Sequence, residues 1–182
     1  MGSHWDSTLV ECAPEKISAI AEETRALLPF VFKQRLSIEV FEATDRKHIW
    51  SLECSGFRRG VLGLEAPVTG LVGDALATLP IHVQAQAKRS ANFAVAVIAS
   101  KVAGVARWIF YSDSLCQSAG VALREGAVES CLWADVETAT DYGCAAISMT
   151  QSLLPGVKYI DDDIFTEFYG NEDRHRSIPV GV

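Results

Sequence analysis

Residues 67–113 constrain this chain more than any other stretch. They run PVTGLVGDALATLPIHV, then on through NFAVAVIAS, and end GVARWIFYSD. Residues 93–99 are almost continuously apolar, a pattern that predicts a strand buried on both faces. Residues 102–111 predict a second strand, reached through a turn that contains Gly104. Ahead of them, Val68, Leu71, Val72, Ala75, Leu76 and Leu79 fall at helical spacing, so residues 68–78 predict a short helix that Pro80 ends. Residues 81–83 then predict a brief strand, and residues 84–90 a polar connection.

Strands this apolar need partners and cover, and the flanking sequence supplies both. Ile17, Ile20, Ala21, Thr24, Leu27 and Leu28 form one stripe of a helix over residues 14–28, with Pro14 suited to its first turn and Pro29 unable to continue it. Leu36, Ile38 and Val40 alternate with polar neighbours. Trp50, Leu52 and Cys54 do the same, so residues 36–43 and 49–54 predict an antiparallel hairpin turning at residues 44–47. Gly56, Gly60, Gly63 and Pro67 mark a loop. Residues 115–136 predict a loose helix and residues 142–153 a cleaner one, stopped at Pro155-Gly156. The predicted fold class is α+β: a central antiparallel sheet with helices on both faces. Residues 1–13 are set aside as a leader or disordered start. Residues 14–156 form the domain, and residues 157–182 an acidic and aromatic C-terminal segment. Within that segment Phe165, Phe168 and Tyr169 share one face of a short helix.

The chain has 182 residues and a formal net charge of −7, which argues against broad electrostatic binding to nucleic acid or to anionic membrane. Its longest apolar stretch is far short of the roughly 20 residues that span a bilayer. The start lacks the basic and apolar regions of a secretory signal, so a cytoplasmic protein is expected. Its five cysteines, Cys12, Cys54, Cys116, Cys131 and Cys144, are odd in number and widely spaced. That spacing suggests neither a disulfide framework nor a zinc site.

The order of elements, and locally Gly70-Leu71-Val72-Gly73, Pro80-Ile81-His82-Val83 and Gly104-Val105, resembles a GAF domain over about residues 14–135. The resemblance implies a GAF/PAS-like sheet with a ligand pocket on one face. It implies a small-molecule-binding sensory or regulatory domain that signals and pairs as a dimer through its terminal helices. The ligand would lie beside residues 68–78, near Trp50, His82, Arg107 and Trp108. Three branches of the family are excluded. The cyclic-nucleotide signature is absent, Cys116 is followed by Gln117 where bilin attachment needs His, and the sulfoxide-reducing cysteine set does not match. No cofactor is identified.

Each candidate residue has a plainer role beside the functional one. His82 suits an anionic ligand or haem iron, but also an ordinary half-exposed position. Arg107 suits a carboxylate or phosphate clamp, or an outward-facing position; alternation places it opposite Trp108. Trp50 and Trp108 suit stacking on a flat ligand, or the core. Arg58 and Arg59 suit anion attraction or a solvated loop. Asp161, Asp162 and Asp163 lack EF-hand spacing. No Gly-x-Ser-x-Gly elbow occurs, and Cys54 has no identifiable histidine base, so a thiol-dependent enzyme is the least favoured reading. The alternative to ligand sensing is a non-enzymatic protein–protein interaction protein, an adaptor or acidic inhibitor, that uses the C-terminal segment.

Overall fold

The computed structural model describes residues 4–27, 37–55, 69–134, 144–158, 165–169 and 175–179. Seven strands form one antiparallel sheet: β1 (His4–Glu11), β2 (Ser37–Glu42), β3 (Ile49–Ser55), β4 (Val105–Ser112), β5 (Gln117–Arg124), β6 (Ala127–Ala134) and β7 (His175–Pro179). Their spatial order is β6-β5-β4-β1-β3-β2-β7. The helices are α1 (Pro14–Leu27), α2 (Asp74–Thr78), α3 (Ile81–Ala87), α4 (Ala91–Ala103), α5 (Cys144–Gln151) and α6 (Phe165–Tyr169), with a π-helical turn, Thr69–Gly73, ahead of α2. The α+β class, the antiparallel sheet and the helices on both of its faces are as predicted.

Alternation along the strands sorts the side chains into two cores. On one face Val10, Ile38, Val40, Leu52, Trp108 and Val121 pack against α1, α2, α3 and α4. On the other, Trp5, Leu9, Ile49 and Ile109 pack against α5 and against Phe168 of α6. α1, β2 and β3 lie where the sequence places them, because Ile17, Ile20 and Ala21, Ile38 and Val40, and Trp50 and Leu52 set periodic apolar positions on the core.

Four predictions are overturned. Residues 93–99 are not a strand: they belong to α4, which is buried at every position from Ala91 to Ser100. A helix with core on all sides is apolar all round, so its sequence loses the 3.6-residue rhythm. Its ends are well marked: Ser90 caps it by accepting from the Phe93 N–H at 3.1 Å, and Gly104 closes it at φ 94°. Residues 81–87 are likewise helical, as α3, with Pro80 just before the first turn. Residues 117–134 are not a helix but the hairpin β5–β6. It turns at Glu125-Gly126, both at positive φ (50° and 87°) as a two-residue hairpin turn with primed geometry requires. Residues 4–11, set aside as a disordered start, form β1, which lies between β3 and β4 in the middle of the sheet.

The C-terminal elements belong to the fold as well. β7 pairs with β2 along its whole length. Phe168 is buried, and the Thr44 N–H donates to the Glu167 carbonyl at 3.0 Å.

One close approach fixes α5 on the sheet. A Cβ on Gly120 of β5 would stand 2.7 Å from the Met149 Cβ and 2.9 Å from the Ala145 carbonyl oxygen. Neither atom is the free end of a side chain, so α5 itself must lift. Gly120→Ala is expected to cost about 1–3 kcal/mol, the usual range for overpacking. Urea denaturation checks this, and a cost below about 0.5 kcal/mol would show that α5 does not seat as described.

Candidate functional site

The site begins at a break in the sheet. β1 and β3 pair from Glu11↔Ile49 to Thr8↔Leu52, and there the ladder stops. Continuing the register would set Asp6 opposite Cys54. Instead Asn92, in the first turn of α4, stands between the strands. Its side-chain amide donates to the Asp6 carbonyl at 2.8 Å, and its Oδ1 accepts from the Cys54 N–H at 2.7 Å. The Asn92 carbonyl in turn accepts from the Thr8 hydroxyl at 2.7 Å. One side chain thus satisfies two backbone groups that strand pairing would otherwise have to satisfy.

A cavity of about 450 Å³ opens beside this wedge, lined among others by Trp5, Asp6, Glu53, Cys54, Arg89 and Tyr169. A second of about 390 Å³ adjoins it, with Gln86, Ser90, Ser112, Ser114 and Leu115 in its wall. His4, Asp6 and Arg89 line both. Both volumes fall within the roughly 300–1,000 Å³ of small-molecule sites.

Asp6 is the hub. Its Oδ1 accepts from the Ser90 hydroxyl at 2.7 Å and from the Trp108 indole N–H at 2.8 Å. The same indole N–H lies 3.1 Å from the Ser90 Oγ. Burial raises the Asp6 pKa, while the bonds from Ser90 and Trp108 and the charge of His4 pull it down.

Glu53 extends from β3 on the opposite face of the sheet from Cys54. Burial first, then the neighbouring Asp6 and Glu39 carboxylates, push its pKa up to about 8. The Trp5 indole is near enough to oppose that rise, yet neither Trp5 Nε1 nor Glu53 Oε1 completes a hydrogen bond. Cys54 is held as a thiol, its pKa pushed up to about 12 by burial and by Asp6. Such a thiol is a poor nucleophile at neutral pH.

The four residues singled out in the sequence do not converge, and none of them lines either cavity. Trp50 is a core residue whose indole donates to the Cys12 carbonyl at 2.9 Å, with the Arg176 guanidinium 5.6 Å from its ring. His82 is exposed on α3, its ring 5.1 Å from that of Trp133. Trp108 is fully buried and supports the site through Asp6. Arg107 is on the other face, as alternation predicts. It is half-buried with its Nε unbonded, and burial lowers its pKa against the pull of Glu11 and Glu129. Arg58, Arg59, Asp161, Asp162 and Asp163 lie outside the described residues. Sequence reasoning passes over Asp6, Glu53, Arg89 and Asn92. The available signal is polar: HWDST and the Ser90-Ala91-Asn92 helix start are polar residues set directly against apolar runs.

Comparison of the chain with protein-family models, with curated proteins and with solved structures finds no match. Among the described residues no group of His, Cys, Asp and Glu is arranged to hold a metal ion, and no helix is long and apolar enough to cross a membrane.

Proposed function

We propose that this chain is a small-molecule-binding regulatory domain, of the GAF/PAS-like kind its sequence resembles, with its ligand in the cleft between the split ends of β1 and β3. The observation that carries this reading is the cleft itself: a space of about 450 Å³ lined by two half-buried carboxyl groups beside a helix start that wedges two strands apart. The α+β architecture with helices on both faces supports the GAF/PAS-like part. The helical state of residues 81–87 and 91–103 weighs against the local motif on which that resemblance rests. The cleft therefore carries the reading.

A ligand there meets Ala91 and Asn92, and through them α4, which packs on α1 as well as on the sheet. Occupancy that favours one arrangement of the Asn92 bonds shifts α4, and α1 moves with it; such a switch needs differential contacts in two states. Thermal-shift screening of a chemically broad library is expected to find a compound whose effect weakens in both Glu53→Gln and Arg89→Ala. A library without effect, or a compound indifferent to both substitutions, would remove this reading.

The interaction-protein alternative has one supporting feature: β7 ends the sheet order, and its His175, Arg176 and Ser177 are exposed. Because β7 and α6 are part of the fold, deleting residues 157–182 would disturb the sheet itself, so that alternative is better tested by point substitution at Arg176.

A further inference from the structure

The cleft's charges suggest what kind of molecule it takes. Asp6 and Glu53 share it with His4 and Arg89, yet no salt bridge joins Arg89 to either carboxyl group among the described residues. Among the described residues Glu53 thus bears the cost of desolvation without a cation to offset it, and Asp6 has only the charge of His4. The Asn92 amide offers a ligand little, because both of its ends are committed to Asp6 and Cys54. Its part is to hold the strands apart. The first cavity offers a ligand the Glu53 carboxyl group beside the Trp5 ring; Arg89 and His4 stand where the two cavities meet.

We propose that this cleft binds a small ampholyte of the amino-acid type. Its ammonium group is held by Glu53 against the ring of Trp5, within the field of Asp6. Its carboxylate is held by Arg89, and its side chain is directed into the second cavity. An ammonium group supplies the positive charge that Glu53 lacks among the described residues and that aromatic faces attract. A carboxylate suits the planar guanidinium fork of Arg89. The second cavity, bounded by Phe110 and Leu115 with the Ser112 and Ser114 hydroxyls, accommodates a side chain of mixed polarity. A simple amine would leave Arg89 unused, and a simple carboxylate would leave Glu53 unused.

This proposal rests on the ligand-binding reading, and one panel separates the two. The full chain is screened by thermal shift, and hits by titration calorimetry. The panel holds the twenty free L-amino acids, their N-acetyl and amide derivatives, the corresponding decarboxylated amines, simple carboxylates, and ribose and adenosine as neutral probes. The expected result is stabilisation by at least one free amino acid, with Kd weakened at least ~10-fold by N-acetylation or by Glu53→Gln. Arg89→Ala is expected to weaken the amino acid by a similar factor while leaving its amide unchanged. Equal binding of the N-acetyl derivative overturns the proposal. So does a neutral or purely anionic hit in the absence of any amino-acid hit, and that outcome leaves the ligand-binding reading standing. No hit at all removes both. Glu53→Gln is nearly isosteric and Arg89 is exposed, so both variants are expected to fold; circular dichroism at the assay pH confirms it.

Discussion

Phe93→Ala is expected to destabilise the protein by about 3–5 kcal/mol, the range for truncating a fully buried phenylalanine. Phe93 lies in the first turn of α4 with none of its surface exposed, and its ring meets Trp108 edge-on at 5.4 Å. Losing that contact removes about 0.5–1.5 kcal/mol beyond the area term. The rest comes from a cavity that the surrounding core cannot close, since α4 is enclosed between the sheet and α1. Alanine is the better helix former, but the gain of less than about 1 kcal/mol does not offset the loss. For a domain whose whole stability is about 5–15 kcal/mol, the variant loses a large share of it. Urea denaturation followed by circular dichroism and Trp fluorescence measures the effect, and an unchanged m-value assigns it to the native state. A cost below about 1 kcal/mol would show that α4 is not the closed centre of the fold. Phe93→Leu, which keeps most of the volume, is expected to cost clearly less.

The same helix shows where the sequence is legible and where it is not. α1 and β2 each set a buried face against a more exposed one, and β3 alternates Trp50 and Leu52 with polar Ser51 and Glu53, so their periods of 3.6 and 2 are written in the residues. α4 has no wet face. A run such as Phe93-Ala94-Val95-Ala96-Val97-Ile98-Ala99 fits a two-faced strand and a buried helix equally well by periodicity. Its alanines, the Ser90 cap and Gly104 are the signals favouring helix. β5 misleads for a related reason. Ser118, Gly120 and Ala122 are small and buried like the Ala119, Val121 and Leu123 set, so no alternation stands out, and Glu125-Gly126 is a less familiar hairpin turn than Asn-Gly.

β1 escapes a reading by pattern because polar Ser7 and Thr8 are buried between apolar Trp5 and Leu9. Ser7 bonds Ser51 at 2.5 Å, Thr8 bonds the Asn92 carbonyl, and Asp6 bonds Ser90 and Trp108. These partners come from other parts of the chain and do not show in a local pattern. Functional sites are where local rules tend to be broken, so the strand hardest to read carries the candidate site. Of the residues singled out in the sequence, Trp108 alone touches that site's hub, and its opposition to Arg107 across the sheet is readable from alternation.

The candidate site leaves a mark on stability that needs no ligand to detect. Glu53 titrates near pH 4.5 when exposed and near pH 8 in the folded protein, chiefly through burial and then through Asp6 and Glu39. Between those values the folded state keeps a proton that the unfolded state has released, so unfolding liberates a proton and stability falls as pH rises. The penalty is absent below about pH 4.5, grows through neutrality and is complete above about pH 8. At about 1.4 kcal/mol for each tenfold change in proton affinity, moderated by water at the mouth of the cleft, it amounts to roughly 2–4 kcal/mol. Asp6 is raised in the same sense, chiefly by burial, and adds to the slope. Cys54 and Cys12, held up to about 12 and about 11, stay neutral throughout this window and do not contribute. Glu53→Gln, which cannot ionise, is therefore expected to lose most of the decline between pH 5 and 8. It should approach the parent protein at pH 5 and exceed it in stability by a few kcal/mol at pH 8. Chemical denaturation of both proteins at unit intervals of pH reads this directly, and parallel curves would show that Glu53 ionises freely in the folded state. A bound ammonium group would favour the ionised carboxylate, so a saturating amine-bearing ligand should flatten the parent curve toward that of the variant; a purely anionic ligand would steepen it.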